Sequence, residues 1–217
     1  MRIRGTAGAT ILAAALLAGL RQEEPLEPLV VDEQAGTVSF GARAAKTDVY
    51  EQLKGAIEYL IVMPGGKEYE AVFVAPVDGV KLREAMVRAG FKPGKPADED
   101  EQKLPEGSKL RIFVEWKEGD KKRRERAEHF VLDVESKKAM DAGPWVFTGS
   151  RMAFDPAEEK MMPAVRVTKN VVSLFHNDAT VLIQPGTFAK DPHQYKANRE
   201  NLLKAGTPVR IVLEPVK

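Results

Sequence analysis

The residues best suited to chemistry cluster around a pair of glycines. Glu58 precedes the Gly65-Gly66 pair, and Lys67, Glu68 and Glu70 follow it closely. If the chain turns through a three-residue loop there, the two-residue alternation of β-strands places all three carboxylates on one face of a hairpin. Neighbouring carboxylates can share a proton or hold a divalent cation, which are requirements of acid–base and metal-assisted chemistry.

Two interpretations of these residues stay open. In the first, Glu58, Lys67 and Glu70 lie on a solvated, ion-paired sheet face as candidate binding residues, and the usual exposure of charged side chains favours it. In the second, Glu58, Glu68 and Glu70 serve a hydrolase-like or divalent-cation-dependent enzyme. A shift of one residue in strand register would separate Glu58 from the other two carboxylates and remove the second interpretation.

A run of basic residues from Lys121 to Arg124 gives another candidate surface. Acidic neighbours at Glu118, Asp120, Glu125 and Glu128 leave only a small local excess of positive charge. Runs of mixed sign are usually solvated, and lysines at a strand edge block unwanted pairing. The functional alternative is contact with an acidic polysaccharide or an anionic membrane surface.

The composition excludes several classes of site. The 217 residues contain no cysteine, which rules out disulfides, iron–sulfur clusters, thiolate-bound zinc and a cysteine nucleophile. The three histidines lie far apart, and Ser150 lacks the flanking glycines of a nucleophile elbow. We therefore assign no catalytic residue, no metal and no cofactor. The net charge of +1 argues against nucleic acid as the main partner, because phosphate binding normally requires a clearly basic domain.

The N-terminus is typical of an exported protein. Arg2 and Arg4 precede an uncharged, apolar run from residue 7 to 20, which is the pattern of a secretory signal peptide. The run is shorter than the roughly 20 residues that a membrane-spanning helix needs. We predict localisation in the periplasm or cell envelope, with no integral membrane domain after the signal is removed. The predicted organisation is a signal peptide at 1–20, a linker at 21–28 and a single domain at 29–217.

Alternating apolar residues and turn signals predict the elements of that domain. One helix is predicted from 78 to 89, capped by Asp78, and a second from 192 to 205 after an Asp-Pro start. Trp145 and Phe147 alternate with a valine in a short strand and should both be buried. Hairpins are predicted for 56–63 with 67–75, for 109–116 with 130–134 and within 165–175, together with strands at 29–31, 37–43 and 209–213. The predicted fold class is α+β, with mostly antiparallel β-hairpins and two helices in one compact domain.

Several motifs are similar to those of a known family. They include Gly-Gly-Lys-x-x-Glu at 65–70, Arg-Ala-Glu at 126–128 and Trp-x-Phe-x-Gly-Ser at 145–150, in that order. On these motifs the chain resembles the YdjY-like domain family of bacterial envelope proteins over nearly all of residues 29–216. The resemblance implies an envelope protein and carries over no catalytic residue.

Together these observations predict an exported envelope domain that acts as a non-enzymatic binding or structural module. Its expected partner is an envelope protein or polymer that the sequence does not specify, and nucleic acid is not expected. The alternative is an enzyme that uses the Glu58, Glu68 and Glu70 carboxylates.

Overall fold

The structure is a computed structural model that describes residues 24–45, 55–96, 103–186 and 193–216. The predicted signal peptide lies outside these residues. Within the described ranges, no helix has both the length and the apolar character needed to cross a membrane.

Fourteen strands and two helices make up the described part of the chain. The strands are β1 (Val30–Asp32), β2 (Thr37–Ala44), β3 (Tyr59–Val62), β4 (Ala71–Val74), β5 (Ser108–Glu118), β6 (Lys121–Arg126), β7 (Val131–Asp133), β8 (Trp145–Phe147), β9 (Met152–Asp155), β10 (Lys160–Pro163), β11 (Asn170–Ser173), β12 (Leu182–Ile183), β13 (Tyr195–Ala197) and β14 (Pro208–Pro215). The helices are α1 (Gly79–Arg88) and α2 (Val165–Thr168).

Eight of these strands close into a barrel. They pair in the order β2-β14-β5-β8-β12-β11-β3-β4, and β4 pairs with β2 to complete the ring. Strand β1 pairs with β2, and β6 extends the sheet from β5. The predicted α+β class is therefore wrong, because the described residues are 41% strand and 12% helix around an eight-stranded barrel.

Side-chain alternation along the strands builds the core of the barrel. In β5, Leu110, Ile112 and Val114 are fully buried, while the alternating residues Lys109 and Arg111 face solvent. A barrel of eight strands has an interior that side chains can fill without leaving a channel. The predicted burial of Trp145 and Phe147 is confirmed, with exposed fractions of 1% and 0%.

The two predicted helices have opposite outcomes. The first is confirmed as α1, and the Asp78 carboxylate accepts hydrogen bonds from the backbone N–H groups of Val80 and Lys81. The second, predicted for 192–205, is wrong: its described part contains β13, which pairs with β7. Tyr195 and Ala197 are both buried, so burial with a two-residue period outweighs the local Asp-Pro signal for a helix.

The predicted hairpins are also wrong in their partners. Strands β3 and β4 are parallel, not antiparallel. The connection between them contains a 3-10 turn at Glu68–Glu70, and it brings the chain back to the end of the sheet at which β3 begins. The return strand of β5 is the basic run of β6 and not 130–134. Residues 165–168 form α2, and the local hairpin is instead β9 with β10.

Candidate functional site

The parallel pairing of β3 and β4 brings three of the predicted site residues together. Tyr59 lies beside Ala71 in the register, and the Glu58 backbone N–H donates to the Glu70 carbonyl over 3.2 Å. The Lys67 Nζ lies 2.5 Å from the Glu58 carboxylate and 3.2 Å from the Glu70 carboxylate. We call Glu58, Tyr59, Lys67 and Glu70 the lysine cluster.

The lysine cluster is half-buried and largely neutralises itself. The Glu58 and Glu70 side chains are 22% and 24% exposed, and that of Lys67 is 40% exposed. Partial burial disfavours the charged ammonium, but the hydrogen bonds to Glu58 and Glu70 and the charges of Glu58 and Tyr59 together outweigh this effect and raise the pKa of Lys67. The lysine is therefore charged at neutral pH and occupies the space between the two carboxylates.

Tyr59 forms the floor of the lysine cluster. Its ring centroid lies 5.7 Å below the Lys67 Nζ, and its hydroxyl accepts a hydrogen bond from the Asn177 side chain over 3.1 Å. Burial, with a further contribution from the charge of Glu58, raises the pKa of the Tyr59 hydroxyl to about 12. The tyrosine is neutral at physiological pH, and its role in this arrangement is to support the lysine.

Glu68 lies apart from the other two carboxylates. Its Oε1 accepts a hydrogen bond from the Gly65 backbone N–H over 2.8 Å and so closes the turn. The three carboxylates of the enzyme interpretation thus do not form one set around a shared cation. Among the described residues, no group of three or more His, Asp or Glu side chains could hold a metal ion.

Backbone conformation and close packing explain why glycines occupy positions 65 and 66. Gly65 has a φ of 77°, which glycine adopts without the steric cost of a Cβ. A Cβ on Gly66 would lie 3.0 Å from the Lys169 carbonyl oxygen. The pair therefore lets the turn approach the α2–β11 connection closely, which is a structural requirement.

Ser150 also has a structural role in the observed arrangement. It is buried, with a φ of 64°, and its Oγ donates to the Ala179 carbonyl over 2.9 Å. The same oxygen accepts the Val165 backbone N–H over 3.0 Å. The hydroxyl thus joins the start of α2 to the segment before β12.

An open groove lies on another side of the barrel. It includes Lys122, Arg123 and Arg124, which belong to the basic run considered above as a candidate surface, but the groove itself was not predicted. Its volume is about 690 Å³. The β5–β6 hairpin forms one wall, the start of β14 another, and residues 24–27 a third. The lining residues are Glu24, Pro25, Leu26, Glu27, Glu115, Trp116, Lys117, Lys122, Arg123, Arg124, Thr207, Pro208, Val209 and Arg210.

Residues 24–27, which we call the strap, lie against the barrel although the sequence placed them in a linker. The Gly41 backbone N–H donates to the Glu27 carbonyl over 2.9 Å, and the Arg43 guanidinium donates to the Glu24 carbonyl. The Glu27 carboxylate lies 3.1 Å from the Arg210 Nε. A Cβ on Gly41 would lie 2.6 Å from the Glu27 nitrogen, so the strap fits only because position 41 is glycine.

The groove escaped the sequence interpretation because the partner of β5 was misplaced. With the return strand expected at 130–134, the basic run had no position relative to Trp116. In the structure Trp116 pairs with Arg123 and Lys117 pairs with Lys122 across the β5–β6 ladder. A hairpin turn at Gly119, which has a φ of 58°, was the signal that would have placed these residues opposite each other.

Comparison with known proteins identifies the family. The YdjY domain model matches residues 29–214. The chain belongs to the YdjY domain family. No curated protein and no solved structure matches the chain.

Residues of the Arg-Ala-Glu and Trp-x-Phe-x-Gly-Ser motifs form a network centred on the buried Glu128. The Arg126 Nη2 lies 2.6 Å from the Glu128 carboxylate, whose side chain is 2% exposed. The Trp145 indole N–H donates to the same carboxylate oxygen over 2.9 Å. The network therefore links β6 to β8, with Glu128 and Trp145 shielded from solvent.

Proposed function

We propose that this YdjY domain is an exported, non-enzymatic module that binds an anionic polymer in the groove. The observation that carries the proposal is the composition of the groove walls, which hold five Lys and Arg side chains against three glutamates. The whole chain has a net charge of only +1. Arg123, Arg124 and Arg210 are ion-paired with glutamates, so the groove carries a modest excess of positive charge, supplied by Lys117 and Lys122. An excess of positive charge on a concave surface attracts anionic ligands.

Trp116 supports a polymer with flat, partly apolar units. Trp116 is one of the lining residues, and its ring packs against the buried Phe130 with ring centroids 5.8 Å apart. A fixed aromatic side chain beside charged groups offers both an apolar contact and a polar rim, as in many binding sites. Sugar rings of an acidic polysaccharide present these two kinds of surface together.

Export is a part of the proposal that rests on the N-terminal sequence. Arg2, Arg4 and the apolar run at 7–20 have the charge and length of a secretory signal. Expression of the full chain followed by cell fractionation tests this part, and we expect the protein in the periplasmic or envelope fraction. Recovery of the full-length chain in the cytoplasm alone would contradict it.

Polymer binding is tested by comparing two double charge reversals. Lys122→Glu with Arg123→Glu changes two exposed cations of the groove. Arg151→Glu with Lys160→Glu is the matched control on the β9–β10 side, where both cations are exposed and ion-paired to acids. With alginate and dextran sulfate as probes, the groove variant should lose about tenfold in affinity and the control about twofold or less. Equal losses would show that attraction to the chain as a whole, and not the groove, binds the polymer.

Tryptophan fluorescence locates the bound polymer independently of the mutations. The chain has two tryptophans, and Trp145 is 1% exposed, so an external quencher such as acrylamide reports mainly on Trp116. Alginate should protect the fluorescence from acrylamide, and neutral dextran should not. Unchanged quenching at a saturating concentration of alginate would place the polymer outside the groove.

A further inference from the structure

We infer that the groove contains a carboxylate subsite at Arg210, that Glu27 of the strap occupies this subsite in the free protein, and that a uronic-acid polysaccharide displaces it. The inference rests on the proposed function and specifies both the ligand and the internal carboxylate that competes with it for Arg210. The chain itself supplies the observation, because a carboxylate already lies 3.1 Å from the Arg210 Nε.

The barrel holds the Arg210 guanidinium in place from two other sides. Its Nη2 donates to the Ser39 hydroxyl over 3.0 Å, and Ser39 is buried with 4% exposure. Its Nη1 lies 3.6 Å from the Glu115 carboxylate. Strands β2 and β5 thus orient the planar guanidinium of β14, and a guanidinium oriented in this way recognises a carboxylate by geometry as well as by charge.

The side chain of Glu27 is held much less firmly than its main chain. The Glu27 side chain is 58% exposed, and that of its partner Arg210 is 41% exposed. Ion pairs this exposed contribute little to stability. The main chain is fixed by the Gly41 N–H and by the Arg43 guanidinium. A ligand carboxylate can therefore replace the Glu27 carboxylate while the strap stays on the barrel.

The same groove favours a carboxylated sugar over an acidic peptide. The groove is also lined by Trp116, Lys117 and Lys122, so an aromatic residue and further cations belong to the same groove as Arg210. A polyuronate repeats a ring and a carboxylate in every unit, and so offers a partner to both kinds of residue. A polyglutamate repeats the carboxylate without the ring and serves as the competing ligand in the test.

The test compares two neutralised glutamates in the full chain. Glu27→Gln removes the internal occupant of the subsite, and Glu33→Gln makes the same change in the exposed turn between β1 and β2. Isothermal titration with alginate should show about threefold tighter binding for Glu27→Gln and about 1.5-fold or less for Glu33→Gln. Arg210→Gln should weaken binding and should abolish the gain from Glu27→Gln in the double variant.

The outcomes separate this inference from the proposed function. If the wild-type chain binds neither alginate nor dextran sulfate, the proposed function fails. If it binds and the Lys122→Glu/Arg123→Glu variant loses affinity, but Glu27→Gln behaves like Glu33→Gln, only the carboxylate subsite is wrong. If Glu27→Gln strengthens the binding of polyglutamate and not of alginate, the subsite is for an acidic peptide and the assignment of a polysaccharide ligand is wrong.

A second variant, Gly41→Val, crowds the strap itself and should also strengthen alginate binding, provided that its melting curve shows a folded protein.

Discussion

The lysine cluster and the groove use charge in opposite ways. In the lysine cluster one ammonium lies between two carboxylates, and all three are at least half-buried. In the groove the cations outnumber the acids. Arg123, Arg124 and Arg210 are ion-paired, but the exposed Lys117 and Lys122 face each other across the β5–β6 ladder. Charges that satisfy each other stabilise the fold locally, whereas an unbalanced set on a concave wall attracts a ligand. The cluster that looked most chemical in the sequence is therefore the more structural of the two.

Both regions depend on the barrel. The largest expected loss of stability comes from breaking the ion pair between Arg126 and Glu128. Glu128→Ala removes the acceptor of the Trp145 indole and the ion-pair partner of Arg126, which is 23% exposed and retains its hydrogen bond to the Gly143 carbonyl. Breaking a buried pair on one side costs about 3–5 kcal/mol, so urea unfolding should show a loss of this order. Glu125→Ala, at an exposed position of β6, is the control and should cost about 0.5 kcal/mol or less. Equal effects of the two variants would show that the Glu128 network contributes no stability.

Alkaline pH tests how firmly Tyr59 is enclosed beneath the lysine. Burial raises the pKa of Tyr59, and that of Tyr195, to about 12 from about 10. A group with a raised folded pKa contributes stability that is complete below its unfolded pKa and is lost as the pH rises to its folded pKa. We therefore expect stability to fall between pH 10 and 12, by up to about 2–3 kcal/mol for each tyrosine.

Two tyrosine variants assign that loss. Tyr59→Phe removes one ionisation and should make the pH dependence of the free energy of unfolding less steep above pH 10. Tyr69→Phe makes the same chemical change at a side chain in the same turn that is 37% exposed, and should leave the slope of the wild type. If Tyr59→Phe keeps the full slope, the Tyr59 hydroxyl is not enclosed as the structure indicates.

The difference between local patterns and contacts between distant segments explains which elements could be predicted from the sequence. Alternation of apolar residues is local, so β2, β14 and the burial of Trp145 were predictable, and the Asp78 cap located α1. Strand partners are set by contacts between residues far apart in the chain, so the parallel β3–β4 pair and the true partner of β5 were not. The end of the chain shows the same limit, because Tyr195 and Ala197 fit their β7 partner better than a local helix.

The candidate site followed this pattern as well. The proximity of Lys67 to Glu70 follows from their three-residue separation, and Glu58 was named with them. Glu68, two residues from Glu70, lies elsewhere because the 3-10 turn at Glu68–Glu70 replaces the alternation of a strand. The groove needed β5, β14 and the strap together, and no local pattern brings those three segments into contact.

Replacing the central lysine measures how far the lysine cluster neutralises itself. Lys67→Ala leaves Glu58 and Glu70 facing each other at about three-quarters burial. The pair is partly screened by solvent, so we expect a loss of about 1 kcal/mol in urea unfolding at low salt, and a smaller loss at about 1 M salt, which screens the repulsion between the two carboxylates. A loss that does not change with salt would show that packing of the lysine stem, and not its charge, supports the turn.

The smallest expected change in stability belongs to the groove and completes the comparison. Lys122 is exposed on β6 and lies opposite Lys117 in the ladder, so two like charges face each other there. Like charges directly across a ladder are mildly destabilising, and Lys122→Ala should therefore change the free energy of unfolding by about 0.5 kcal/mol or less, in the stabilising direction if at all. Residues kept for ligand binding are often neutral or costly for stability. If Lys122→Ala destabilises the protein as much as Lys67→Ala does, the two regions do not differ in role. If it leaves stability unchanged while alginate binding weakens, the repulsion between Lys117 and Lys122 is a property of the binding surface that an anionic polymer relieves.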